Sequence, residues 1–487
     1  MSNHSATLLL FGATGDLARR MLFPSLYNLL ADGLLPEDFM VVASGRSEMD
    51  DDAFRAEVVD HLRDFLGERF TATAADDLTA RIIYCPVEAG NAAQFAALAD
   101  RVKDRADRGI SIYLSTPPSL FAPTAQGLAA AGLVTGRTRI AMEKPIGHDL
   151  ESSIEVNDAI GALFEENRIF RVDHYLGKET VQNLIALRFG NMLFEPLWNA
   201  NAIDHVQITV GETVGLEGRV GYYDGVGALR DMVQNHILQI LSIIAMEPPA
   251  RMDATAVRDE KVKVLRSLRP MTAETVKSLS VRGQYTSGAV GGHIVTGYAD
   301  ELGKPSDTET FVALKAHIDN WRWTGVPFYL RTGKRMPSRQ SEIMIQFKPV
   351  AHSIFSGHGK ASGLEPNTLI IRLQPEENIR LLIMAKQPGL DRDGVKLQEV
   401  GLDVSLAHAF AGERRRIAYE RLLLDLLVGD PTLFVRRDEV EAQWQWIDSI
   451  IDGWAEAGVK PVPYASGNWG PSSAIALIER DGASWHD

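Results

Sequence analysis

Between Arg171 and Glu179 the chain reads Arg-Val-Asp-His-Tyr-Leu-Gly-Lys-Glu. Asp173, His174, Tyr175 and Lys178 fall within six residues, where an apolar run gives way to a helical pattern. His174, Tyr175 and Lys178 all donate hydrogen bonds, and donors grouped at a helix start hold a phosphate. An ionised Asp173 only accepts, which suits it to orient a base. The same residues would also serve a capping turn with solvated charges. A second segment, Asp231 to Leu241, has helical spacing. On that spacing Leu229, Met232, Val233, Ile240 and Ile243 share the face of His236. An imidazole so placed is a general base when a carboxylate fixes its tautomer, and a core histidine when a neighbour merely satisfies it. A third segment, Ala141-Met142-Glu143-Lys144-Pro145, follows an apolar strand. Open parallel sheets bind ligands beyond the carboxyl ends of their strands, which sets Lys144 at a crevice unless it is an ordinary surface lysine. A metal centre is excluded by spacing: there is no His-Glu-x-x-His and no cysteine pair, and His174 and His236 stand 236 − 174 = 62 residues apart. No Gly-x-Ser-x-Gly elbow follows a strand, so serine-nucleophile chemistry is excluded too.

The first apolar strand ends in Phe11-Gly12-Ala13-Thr14-Gly15-Asp16-Leu17-Ala18. This Gly-x-x-Gly-x-x-Ala turn, running from strand into helix, is a variant of the dinucleotide fingerprint. Gly12 permits the tight turn, Gly15 lets the main chain approach a pyrophosphate, and Gly12 to Leu17 are assigned to the cofactor. The second strand runs into Ser44-Gly45-Arg46-Ser47. No carboxylate stands where an NAD ribose would need one. An arginine fork with neighbouring hydroxyls suits a 2′-phosphate instead, so the expected cofactor is NADP. The alternative is a solvated surface arginine.

These groups need elements to position them. Strands are expected at Thr7–Phe11, Met40–Ala43, Arg81–Cys85, Ile110–Leu114 and Arg139–Met142, with helical stretches such as Phe54–Phe65 and Ala92–Arg105 between them. Alternating strands and helices, with continuously apolar strands, predict a Rossmann-type parallel sheet covered on both faces. After about residue 175 the period changes. A helix is expected over Lys178–Arg188. Val206, Ile208 and Val210 then alternate with polar residues, as do Ile343, Ile345 and Phe347, and Leu369, Ile371 and Leu373. Period two marks half-buried antiparallel strands. The expected fold is therefore α/β plus α+β. A dinucleotide domain occupies 1–175, and a large, mainly antiparallel domain with one covered sheet face occupies 176–487. Arg372 and Gln374, two apart, project from one face of their strand. His352–Pro366 reads as a surface loop.

Composition narrows the partners. Of 487 residues, 45% are hydrophobic and 23% charged, which excludes wholesale disorder. With 50 Lys and Arg against 64 Asp and Glu the net charge is −14, so neither nucleic acid nor an anionic membrane is an expected partner. An anionic ligand must be gripped by local cations against that field. Cys85 is the only cysteine, so no internal disulfide forms and a reducing compartment fits. The N-terminus has no secretory pattern and no apolar run nears the length of a membrane helix, so a cytoplasmic location is expected.

Taken together the motifs resemble the glucose-6-phosphate dehydrogenase family. The matching segments are GATGDLA at 12–18, SGRS at 44–47, EKP at 143–145, RVDHYLGKE at 171–179 and GYYDGVGALRDMVQNH at 221–236. VPFYLRTGK at 326–334, IIRLQP at 370–375 and SGNWGP at 466–471 continue the series in order. The resemblance implies oxidation of glucose 6-phosphate by NADP to the 6-phosphogluconolactone. It implies that His236 is the base acting on the carbon-1 hydroxyl and that Asp173 orients it. It implies that His174, Tyr175 and Lys178 bind the sugar phosphate, and that Lys144 lies between cofactor and substrate. Glu212, Asp231, Lys334, Arg339 and Gln374 would bind sugar hydroxyls or complete the pocket. A homodimer or homotetramer built through the second sheet is also implied. The chain departs from the family in two places. Met21 stands where many members carry a lysine. Gln340 and Met344 stand where the mammalian enzymes use basic residues to bind a structural NADP, so that second site is expected to be absent. The alternatives are a two-domain dehydrogenase of the glucose–fructose oxidoreductase type, acting on uncharged sugars, and an inactive NADP-binding sensor.

Overall fold

The computed structural model describes residues 4–216, 220–355, 364–390 and 395–487. The chain folds as two units. The first contains residues 1–182, 249–262 and 415–444, the second 183–248, 263–414 and 445–487.

In the first unit the described residues form a six-stranded parallel sheet of β1 (Thr7–Phe11), β2 (Met40–Ser44), β3 (Ile82–Tyr84), β4 (Ile110–Leu114), β5 (Arg139–Met142) and β6 (Ile169–Arg171). The order is β3-β2-β1-β4-β5-β6. Every residue of β1, β4, β5 and β6 is buried, as helices on both faces require. Burying one such leucine or isoleucine contributes roughly 1.5–3 kcal/mol. The strand order reverses between β1 and β4, and the crevice of such a sheet opens there. β6 was not among the expected strands, because Ile169-Phe170-Arg171 is a two-residue apolar run ended by a charge. Helix starts follow local chemistry: the Asp50 carboxylate accepts from Ala53 N (2.7 Å) to cap Asp51–Leu66, and Asp149 and Ser152 form a capping box on Leu150–Gly161.

The remaining strands are β7 (Ile203–Gly211), β8 (Ser280–Thr286), β9 (Gly288–Val290), β10 (His293–Val295), β11 (Phe311–His317), β12 (Pro327–Gly333) and β13 (Gln340–Phe347), then β14 (Thr368–Gln374), β15 (Asn378–Lys386), β16 (Leu397–Ser405) and β17 (Val462–Ala465). Apart from the β9–β10 ribbon they form one sheet in the second unit, in the order β16-β15-β14-β13-β7-β12-β11-β8-β17. Neighbours are antiparallel except β7 with β12 and β8 with β17. The expectation of one covered face fails at the centre. His205, Gln207 and Thr209, on the polar face of β7, are buried as well as Val206, Ile208 and Val210. The C-terminal segment lies over that polar face. Gln207 Nε2 donates to Ser484 O (2.9 Å), and His486 Nδ1 meets Glu342 Oε1 (2.5 Å). The Arg331 guanidinium donates to Asp487 Oδ1 (2.7 Å) and lies over the Trp469 and Trp485 rings. Polar alternation here records a buried hydrogen-bond network rather than water. Of the expected loop His352–Pro366, residues 356–363 lie outside the described residues.

Candidate active site

The turn after β1 is built as its glycines predict. Gly12 has φ +79°, and a Cβ on it would lie 2.1 Å from Ser115 O. Only glycine tolerates both the backbone and the contact. Gly12 N and Ala13 N donate to Ser44 O (2.9 Å each), tying the turn to the end of β2. A cavity of about 320 Å³ opens beyond the carboxyl ends of the strands. Gly12, Thr14, Gly15, Ser44, Gly45, Arg46, Ser115 and Thr116 are among its lining residues. Arg46 is the cation and Glu88 the carboxylate among the described residues there. Ala13 is buried behind the turn and Asp16, on the exposed side, pairs with Arg20 (3.2 Å). Leu17 is half-buried just before a π-helical turn, Ala18–Leu22, which carries Met21. The Arg46 loop is braced from β3. Tyr84 OH donates to Ser47 O (2.8 Å), and Asp51, itself paired with Arg101 (3.0 Å), accepts from Tyr84 N (2.6 Å). A narrow crevice ringed by glycines, main-chain donors and one arginine fits a dinucleotide pyrophosphate and ribose.

The donor cluster follows β6. Asp173 is buried and its Oδ1 accepts from Tyr175 N (2.9 Å), closing a turn that leads into the helix Glu179–Phe189. Burial pushes the Asp173 carboxyl up, while the charge of His174, the bond from Tyr175 N and the charge of Lys144 oppose it. Lys178 Nζ sits 3.4 Å from the centre of the Tyr175 ring, and His174 packs edge-on against that ring at 5.1 Å. The pair of cationic or ionisable groups is therefore held on one aromatic platform. Gly177 is required because the helix Ala418–Val428 passes close by: a Cβ would meet Ala418 O at 2.6 Å.

Two residues of this neighbourhood escaped the sequence reading. Tyr419, at the start of that late helix, stacks on His174 with ring centres 6.3 Å apart and 9° between planes. It and Tyr113 both bond to Glu143, Tyr113 OH donating at 2.5 Å. Burial lifts Glu143 to about 7, against the two tyrosines and the charge of Lys144. Glu143 is legible as part of Glu-Lys-Pro. Tyr419 gives no local signal, since it stands 419 − 174 = 245 residues from its partner ring.

In the second unit one end of the large sheet gathers four of the expected residues. Glu212 and Lys334 directly follow the parallel strands β7 and β12, whose last residues Gly211 and Gly333 are in register. Lys334 Nζ donates to Glu212 Oε2 (2.7 Å) and lies over the Tyr223 ring. Gln340 pairs with Gly211, which sets the exposed Arg339 at the same end. Gln374, across from Ser341, accepts from its hydroxyl (3.4 Å). Arg372 turns to Glu342 instead (2.8 Å).

His236 is buried, but not on the helix expected. Residues Leu229–Ile237, Asp231 among them, wind as a π-helix that runs into the α-helix Leu238–Ala245. With i→i+5 in place of i→i+4 bonding, the 3.6-residue face assigned to His236 does not hold. Burial on all sides, from Met232 through Leu241, replaces the single apolar face. Such π segments are uncommon and concentrate at functional sites.

The fold and the glycine-lined cavity define a dinucleotide-binding protein with a Rossmann-type unit and a second, sheet-based unit. Family models extend this to the whole chain. The model described as glucose-6-phosphate dehydrogenase, NAD binding domain, matches residues 9–183, and that described as glucose-6-phosphate dehydrogenase, C-terminal domain, matches 185–486. The chain belongs to the glucose-6-phosphate dehydrogenase family and is an oxidoreductase. It is 58% identical over 488 residues to glucose-6-phosphate 1-dehydrogenase of Zymomonas mobilis, covering 100% of both chains. It is 53% identical to the Rhizobium meliloti protein of that name, over 98% of this chain and 96% of the relative. Among solved structures, a glucose-6-phosphate dehydrogenase in complex with its substrate glucose 6-phosphate is similar at TM-score 0.90 and 32% identity, over 100% of this chain and 99% of that one. No helix among the described residues is long and apolar enough to cross a membrane.

Proposed function

We propose that this chain oxidises glucose 6-phosphate at carbon 1 to the 6-phosphogluconolactone with NADP as acceptor. The observation that carries the reading is the family match along the whole chain, 9–183 and 185–486. A dinucleotide held by the turn Gly12 to Leu17 would supply the hydride acceptor for carbon 1. The chain supplies the rest. His236 takes the proton of the carbon-1 hydroxyl, and Asp173 fixes its tautomer and balances its charge. His174, Tyr175 and Lys178 hold the phosphate. Glu212, Asp231, Lys334, Arg339 and Gln374 orient the sugar hydroxyls, and Lys144 stands between sugar and nicotinamide. Holding both reactants at fixed geometry removes much of the entropic barrier. The turn Gly12 to Leu17 holds the pyrophosphate. Arg46, on the rim of the cavity beside Ser44, supports the choice of NADP, since its fork matches a 2′-phosphate.

Following reduced nicotinamide by absorbance, with both dinucleotides and with glucose free and phosphorylated, tests the whole reading. Equal rates on glucose and glucose 6-phosphate would move it to a dehydrogenase of uncharged sugars. For the cofactor, Arg46→Ala is expected to raise KM for NADP about 10-fold or more, with little change for NAD. An equal effect on both would take Arg46 off the 2′-phosphate. Assembly as a homodimer or homotetramer is part of the same proposal. It is supported by apolar side chains left exposed along the outer strand β16, Val400, Leu402 and Val404. Light scattering giving a monomer mass would refute it.

A further inference from the structure

A second cavity, of about 540 Å³, lies at the opposite end of the parallel sheet from the dinucleotide crevice. Its walls come from residues just ahead of the strands: Ser5 before β1, Gly109 before β4, Arg137 before β5 and Arg168 before β6. Gly429 and Pro431, beyond the helix Ala418–Val428, close it. All of these belong to the first unit. Strands of about five residues separate the two ends by roughly 17 Å, so the cavities are distinct.

Its charge is opposite to that of the protein. Among the described residues Arg108, Arg137, Arg139 and Arg168 line it with one carboxylate, Glu165, a balance of 4 − 1 = +3 in a chain of net −14. The arginines are built in to different depths. Arg139 is buried, and its Nη1 donates to Ser5 Oγ (3.0 Å) and Leu427 O (2.7 Å). Arg168 donates from Nη1 to Thr135 O (2.5 Å), while its Nε is shut off from water without a hydrogen bond, 3.9 Å from Glu165 Oε2. Arg108 pairs with Asp38, and Arg137 is exposed on its turn. Assembling like charges costs free energy unless a ligand of opposite charge offsets it. Arginine forks match phosphate oxygens in pairs, and the space is several times that of one phosphate. Among the described residues the one aromatic ring that lines the cavity is the imidazole of His4.

We propose that this cavity is a second anion site, taking a multiply charged phosphate compound through Arg137 and Arg168. Inorganic tripolyphosphate is the probe. Calorimetry on the full chain at low salt is expected to show it binding to wild type and to Arg46→Ala alike. In Arg137→Ser, and more so in Arg137→Ser/Arg168→Gln, affinity is expected to fall about 10-fold or more. Both variants should keep their turnover, which also reports that they fold; if the double variant does not fold, the surface change Arg137→Ser decides alone. Loss of binding in Arg46→Ala, or affinity unchanged by Arg137→Ser, would place the anion elsewhere and overturn the proposal. So would an absence of binding to wild type. Citrate binding as tightly as tripolyphosphate would overturn the assignment to phosphate.

Discussion

His236→Asn is expected to lower kcat at least about 100-fold, with KM for glucose 6-phosphate moving no more than about threefold. Asparagine is smaller than the imidazole but keeps a donor and an acceptor, and it cannot take a proton at neutral pH. If His236 is the base, the loss falls on the chemical step alone, because the phosphate contacts proposed for His174 and Lys178 are untouched. A buried histidine that served only packing would behave otherwise. It would lower thermal stability, and would change kcat only in proportion to the fraction unfolded. Steady-state kinetics beside a thermal melt separate the two. Turnover within about tenfold of wild type in a folded variant would remove His236 from the mechanism.

Lys178→Gln is expected to raise KM for glucose 6-phosphate about 10- to 100-fold, with a smaller change in kcat. A charge-assisted bond to phosphate is worth about 1.5–3 kcal/mol, and each 1.4 kcal/mol is a factor of ten. The Tyr175 ring lies beneath the Lys178 ammonium, 3.4 Å away, and steadies it for the proposed contact. Two controls follow from the same argument. Free glucose, lacking the phosphate, should be oxidised equally poorly by both proteins. The gap between them for glucose 6-phosphate should narrow as salt is added, because the interaction is between charges. A gap insensitive to salt would reassign Lys178 to packing.

How far the sequence could be read depended on how local each signal was. β1, β4 and β5 were legible to the residue, because a buried parallel strand is a short, uninterrupted apolar run. Gly12 and Gly15 were legible because a strand-to-helix turn leaves few other choices. The grouping of Asp173, His174, Tyr175 and Lys178 needed only proximity in the chain. Three features were not legible. The π-helix at Leu229–Ile237 has no composition of its own and cannot be told from an α-helix by its residues. The buried polar face of β7 reads as solvent-facing, since the segment 481–487 that covers it lies far along the chain. Tyr419 depends on a helix that joins the first unit from beyond residue 414.

That late helix has a consequence for biosynthesis. Ser5 N donates to Leu427 O (2.7 Å), Asn28 to Glu420 (2.9 Å) and Arg139 to Leu427 O (2.7 Å), so the sheet made first is completed by residues made nearly last. A ribosome that has emitted the glycine turn and all six parallel strands still holds the helix that bonds to the starts of β1 and β5. The nascent unit must wait, with apolar surface uncovered, for some 240 further residues, counting 415 − 174 = 241 from His174 to the returning segment. Slow translation over that interval prolongs the time in which the chain is open to aggregation, and a holdase would be of most use there.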